Sequence, residues 1–177
     1  MDRQATFTQL YREHYDSVLC YAARRTDADT ARDIAAETFL VAWRRLAAVP
    51  QDPRFVRPWL YGVARRVLSN AERSRRRAGL LAAHLQNQHS APDHVRDLAD
   101  SVASQMQLDQ ALQRLTERDR EVLRLIGWEE LDICEAALAM GCTRAAMAVR
   151  LHRARRRLAL ALQATEQPSA AAAVGGK

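Results

Sequence analysis

The chain has 177 residues, enough for one ordinary domain or two small ones, and is 48% hydrophobic and 27% charged, the profile of a soluble globular protein. No apolar run approaches the length of a membrane span, and Met1 to Gln4 lead straight into amphipathic sequence without the apolar segment of a secretory signal. A cytoplasmic location without membrane insertion is therefore expected. The net charge of +6 is unevenly spread: segment 54–77 carries eight Arg and one Glu, and segment 143–158 carries six Arg and no acid. These two segments hold +13 of a total of +6, so the remainder sums to −7. Two concentrated basic segments on an otherwise acidic chain point to nucleic acid rather than to a generally adhesive surface.

In chain order, nearly every segment reads at helical period, which predicts an all-α protein of two small helical domains on a flexible linker. Phe7, Leu10, Tyr11, Val18, Leu19 and Ala22 recur at spacings of three and four and predict a helix over 7–25. Thr26 to Asp29 is a polar break, and a second helix is expected from about Thr30 to Ala47, ending before Pro50 and Pro53. That helix is apolar in two directions, Ile34 with Val41 and Phe39 with Trp43 and Leu46. Asp33, Glu37, Leu40 and Arg44 form a third, mixed stripe. A helix apolar on two sides is either deeply buried or has a partner.

The third helix is expected to start near Phe55, with Pro58 tolerated in its first turn. Phe55, Val56, Trp59, Leu60, Val63, Ala64, Val67 and Leu68 face inward, while Arg66, Asn70, Arg73 and Arg77 make a separate polar stripe. Residues 79–103, with Gly79, Pro92 and three Asp, read as a linker. Helical pattern returns over Gln105–Leu115. Thr116, with Asp119 three residues on, then opens a helix through Ile126.

Asp132 and Glu135 repeat the capping arrangement for a helix ending at Gly141, and Thr143 caps the next. Met147, Leu151, Ala154 and Leu158 then form one buried stripe, with Arg144, Arg150, Arg153, Arg155 and Arg157 left off it. Short helix, glycine turn and basic second helix together define a helix-turn-helix over Leu131–Leu158, with Thr143 to Leu158 entering the major groove. Neutralising about six phosphates would give log affinity a slope near −5 against log salt. Residues 164–177, rich in Ala and Gly, have no amphipathic face and are expected to be disordered. Cys20, Cys134 and Cys142 are odd in number and widely spaced, so they read as small buried residues rather than a disulfide framework.

Three runs, Ala35-Ala36-Glu37-Thr38-Phe39-Leu40-Val41-Ala42-Trp43, Trp59-Leu60-Tyr61-Gly62-Val63-Ala64-Arg65 and Leu151-His152-Arg153-Ala154-Arg155, resemble bacterial sigma factors of the extracytoplasmic-function (ECF) group. The resemblance covers roughly Phe7 to Leu162 with the motifs in the right order. It implies sigma region 2 over 1–78, the linker over 79–103, and sigma region 4 over 104–163. It also implies the partners: core RNA polymerase, met at its β′ clamp helices and β flap, promoter DNA, and by analogy an anti-sigma factor.

By the same resemblance Asp33, Glu37, Phe39, Leu40, Trp43 and Arg44 would bind core polymerase. Arg57, Arg65, Arg66, Asn70, Arg73, Arg76 and Arg77, with the loop Gln51 to Arg57, would open the −10 element and hold an extruded base, offsetting an unstacking cost of a few kcal/mol. Thr143, Arg144, Ala146, Arg150, Arg153 and Arg155 would read the −35 duplex. The chain departs from the family pattern at Ala36 (often Gln), Arg66 (usually Asn) and Asn70 (usually Asp). It also departs at Ala145-Ala146-Met147-Ala148, where Gly-Thr-Val-Lys is common.

Two other functions compete. A stand-alone helix-turn-helix regulator would bind a palindromic duplex tightly without polymerase. An enzyme has little support, because there is no Gly-rich phosphate loop, no metal-ligand spacing and no nucleophile-base pair, and no cofactor is expected. The five His are scattered, three of them in the linker, and His14 and His152 read as surface or packing residues.

Overall fold

Helix starts are set by side chains that can hold the first free N–H groups. In the computed structural model, which describes residues 2–82 and 99–166, Asp2 caps α1 (Arg3–Ala23) by accepting from Gln4 N at 3.0 Å. Asp27 caps α2 (Ala28–Arg44) by accepting from Thr30 N at 2.9 Å. The Thr30 backbone N–H, and after it the Thr30 side chain, lower the Asp27 carboxyl to about 2, from an ordinary 3.8. A short 3-10 turn, Leu46–Ala48, closes α2, and α3 runs from Pro53 to Ala82. Pro58 therefore sits in the second turn of α3 rather than the first. It is buried there and has no N–H to extend the ladder.

The second set comprises α4 (Ala99–Gln113), α5 (Glu117–Gly127), α6 (Ile133–Met140) and α7 (Arg144–Glu166). No strand occurs among the described residues, as the helical periodicity predicts. The ends of the expected linker are helical, since α3 reaches Ala82 and α4 starts at Ala99. Residues 164–166, expected to open a disordered tail, instead form the last residues of α7, while residues 83–98 and the rest of that tail, 167–177, lie outside the described residues.

The chain divides into two units, Met1–Asp93 and His94–Lys177. In the first, α1, α2 and α3 pack on one another around Val18, Tyr21, Ala31, Ile34, Phe39, Leu60 and Ala64, all nearly or fully buried. Tyr21 and Tyr61 stack with ring centroids 4.5 Å apart, and the Arg25 guanidinium lies 3.5 Å over Tyr21. In the second unit α7 packs on α4, α5 and α6 around Leu112, Val122, Leu125, Met147, Leu151 and Ala154.

The turn between α6 and α7 follows its sequence signals closely. Asp132 accepts from Cys134 N and Glu135 N, and the Glu135 carboxylate accepts from Asp132 N at 2.9 Å, so both halves of a capping box form. Gly141 ends α6 at φ 64, in the left-handed region, and Ala137 beside it is buried. A Cβ on Gly141 would meet nothing within 4 Å. Gly141→Ala should therefore lose only the backbone preference, about 1–2 kcal/mol, read as a lower denaturant midpoint of this unit. Gly141→Asn should lose less, and equal losses for both variants would show that the left-handed backbone is not the cause.

Candidate nucleic-acid interface

On α7 the buried stripe is Met147, Leu151 and Ala154, with Leu158 half-buried, as the periodicity predicts. Thr143 Oγ1 accepts from Ala146 N at 3.2 Å and caps the helix. The predicted arginines divide into distinct groups. Arg144, Arg153 and Arg155 are exposed, whereas Arg150 is half-buried on the flank of the packed stripe, and Ala146 is also half-buried. Arg157 pairs with Asp119 of α5, whose buried carboxylate also accepts from the Thr116 hydroxyl. Arg157 thus ties α7 to the start of α5 instead of forming part of an open cationic face.

At 3.6 residues per turn, the side of α7 opposite the buried stripe carries Ala145, Val149, His152 and Arg156, all exposed. Sequence reasoning selected none of the four as a DNA contact. Their signal was their position half a turn from the apolar stripe, which selecting residues by charge alone passes over. Elsewhere in this unit Arg120 donates to the carbonyls of Leu112, Gln113 and Leu115 at 3.1–3.3 Å. It thereby satisfies the last carbonyl groups of α4 and fixes the α4–α5 corner.

On α3, Arg66, Asn70, Arg73 and Arg77 are all exposed and share one face at helical spacing. Arg73 donates to the Asn70 Oδ1 at 2.6 Å and to the Ser69 carbonyl at 3.1 Å, so these side chains are mutually oriented. Arg65 is half-buried and Arg76 exposed, both about a quarter turn to one side. Arg57 lies roughly half a turn from the stripe. The expected loop Gln51 to Arg57 is shorter than the sequence suggested, because Pro53 to Arg57 form the first turns of α3. Arg57 neighbours His14 of α1. Burial chiefly holds that imidazole below its ordinary value, with Glu13 opposing and the Arg57 charge adding to the depression. Arg75, which no sequence argument singled out from the Arg run, donates to the Thr30 hydroxyl at 2.8 Å and links α3 to the start of α2.

The mixed stripe of α2, Asp33, Glu37, Leu40 and Arg44, is exposed along its length, with Leu40 41% exposed. The second apolar direction of α2 is covered within the unit. Phe39 is buried against the rings of Phe7, Tyr11 and Tyr15, and Trp43 is half-buried with Phe7 at 5.1 Å. The Arg3 guanidinium lies 4.7 Å over the Trp43 ring and donates to its carbonyl at 2.9 Å. The second apolar stripe of α2 is therefore largely core, occupied by α1. Tyr11 of α1 stays 40% exposed beside Phe39, an apolar surface that the sequence pattern had assigned to packing.

The cysteines depart from expectation: Cys20 is exposed, and Cys134 and Cys142 are half-buried, so none is a core residue. All three are free thiols. No group of three or more metal-ligating side chains forms among the described residues, and no described helix is long and apolar enough to cross a membrane.

Two helical units, one ending in a helix-turn-helix and each presenting an arginine-rich helix, fit a DNA-recognition protein. The family model of sigma-70 region 2 matches residues 10–78, and that of sigma-70 region 4 matches residues 105–158. Over 163 residues the chain is 31% identical to the ECF RNA polymerase sigma factor SigL of Mycobacterium tuberculosis, covering 90% of each chain. Its fold is similar to that of the sigma factor RpoE of Bartonella quintana, solved in complex with the anti-sigma factor NepR. That match has a TM-score of 0.68 and 22% identity, over 89% of this chain and 96% of that one. CnrH, solved in complex with the cytosolic domain of CnrY, matches with a TM-score of 0.58 and 29% identity over 91% and 90% of the two chains. The chain belongs to the ECF group of RNA polymerase sigma factors.

Proposed function

We propose that this sigma factor binds core RNA polymerase through the exposed stripe of α2, opens the −10 element with α3 and reads the −35 element as duplex with α7. The observation that carries this reading is that each unit exposes one arginine-rich helix, with Arg66, Arg73, Arg76 and Arg77 on α3 and Arg144, Arg153, Arg155 and Arg156 on α7. Two separate cationic helices suit two separate promoter elements, each held mainly through phosphates and then specified through bases. On α2, Asp33, Glu37, Leu40 and Arg44 offer charges of both signs around one apolar side chain, a face suited to docking on another protein, and by the family resemblance that protein surface is the β′ clamp helices. Phe39 and Trp43 support that face from within. The C-terminal unit would lie at the β flap. A further protein partner is supported by CnrH, which was solved with the cytosolic domain of CnrY, and by family analogy that partner is an anti-sigma factor.

The test is transcription. Purified chain is mixed with core polymerase and genomic DNA fragments of the source organism, and transcript starts are mapped. Starts that depend on the added chain, preceded by two shared sequence blocks, are the expected result. Tight binding to duplex alone, with no dependent start, would instead identify a stand-alone regulator.

A further inference from the structure

We infer that Val149 reads a thymine methyl group in the −35 major groove, and that this apolar contact sets part of the promoter specificity of the chain. The inference rests on the −35 reading of α7 proposed above. Val149 is 49% exposed although it is a branched apolar residue in the second turn of a helix whose own packing stripe is complete. It sits on the side opposite Met147, Leu151 and Ala154, between Ala145 one turn earlier and His152 and Arg156 later, all exposed. Exposed Arg144 and Arg153 lie before and after it along the helix, so the patch is a small apolar island among cations. That charge pattern fits duplex DNA as the occupant rather than an apolar protein groove.

Within the major groove the choice narrows further. Base edges there present hydrogen-bond donors and acceptors, and the thymine C5-methyl is the apolar group among them. Seating the Val149 side chain over a donor or acceptor would strip water from that atom and return no hydrogen bond. Over a thymine methyl, both surfaces leave water together. Ala145 and Ala148, short and also exposed, let the helix approach closely without adding a hydrogen bond of their own. The first turns of α7 therefore read by shape and methyl contact, and the arginines around them hold register.

The experiment uses holoenzyme, the chain with core polymerase, to enrich duplexes from a pool with a randomised promoter region. Each thymine of the enriched −35 block is then replaced singly by deoxyuridine, which keeps every hydrogen-bonding group and removes only the methyl. Loss of about fourfold in affinity at one thymine is expected, the equivalent of one buried methyl group. Val149→Ala should bind the thymine and deoxyuridine duplexes equally at that position, whereas Val149→Thr, which keeps one γ-methyl, should retain part of the difference. Unchanged melting of both variants would confirm that they fold. The inference is overturned if no thymine in the block shows a methyl effect, or if Val149→Ala keeps it. It is also overturned if Val149→Ala weakens core association instead. If no duplex is enriched and no start depends on the chain, the −35 reading fails and this inference falls with it. Enriched duplexes and dependent starts without a Val149-linked methyl effect overturn this inference alone.

Discussion

Changing Arg153 and Arg156 together to alanine should weaken −35 duplex binding by roughly 30- to 1,000-fold, the sum of two contacts of about 1–2 kcal/mol each. Both side chains are exposed on α7, away from its packed stripe, so their removal leaves the core of the C-terminal unit intact. If both meet phosphates, the slope of log affinity against log salt should become shallower by about 1.8. A gel-shift or anisotropy titration at several salt concentrations reads both quantities. Core polymerase association should be unchanged, and an equal loss there would show that this face of α7 meets protein. Arg157→Ala is the informative contrast. Its guanidinium is paired with buried Asp119, so the variant should lower the stability of the C-terminal unit and leave the salt slope nearly as it was.

Tyr21→Ala should unfold the N-terminal unit while the C-terminal one stays folded. Tyr21 is fully buried, stacked on Tyr61 and covered by Arg25, and large aromatic truncations in a core cost about 3–5 kcal/mol. A unit of three helices has little surplus stability to absorb that loss. Thermal unfolding followed by circular dichroism should lose the transition of one unit and keep the other. Duplex binding through α7 should persist, and promoter opening should disappear. Simultaneous loss of −35 binding would show that the two units depend on one another for folding.

Much of the helical plan was legible because its signals are local. Caps at Asp132, Thr143 and Thr116 and the glycine at 141 act through hydrogen bonds and backbone preferences within four residues, and α6 begins and ends where they specify. The family resemblance through Glu37 to Trp43, Trp59 to Arg65 and Leu151 to Arg155 was equally local, and the matched regions at 10–78 and 105–158 agree with it. The first helix was expected at 7–25 and runs 3–23, because Asp2 and not a later residue supplies the cap.

Which arginines are committed elsewhere depends on packing between elements far apart in sequence. Arg75 reaches Thr30 across 45 positions and Arg157 reaches Asp119 across 38, and periodicity says nothing about such partners. The second apolar stripe of α2 could be either core or a docking face on periodicity alone, and α1 decides it by covering Phe39 with three aromatic rings. The sequence by itself determined the two basic helices, the Thr143 cap of the second and the family. The tertiary structure decided which side chains of those helices are open. Charge and periodicity are properties of one segment, whereas exposure depends on every segment packed against it. For the same reason the helix-turn-helix kept its caps and its glycine turn, although α7 runs on past Leu158 to Glu166, while its outward face changed from a list of arginines to a face centred on Val149.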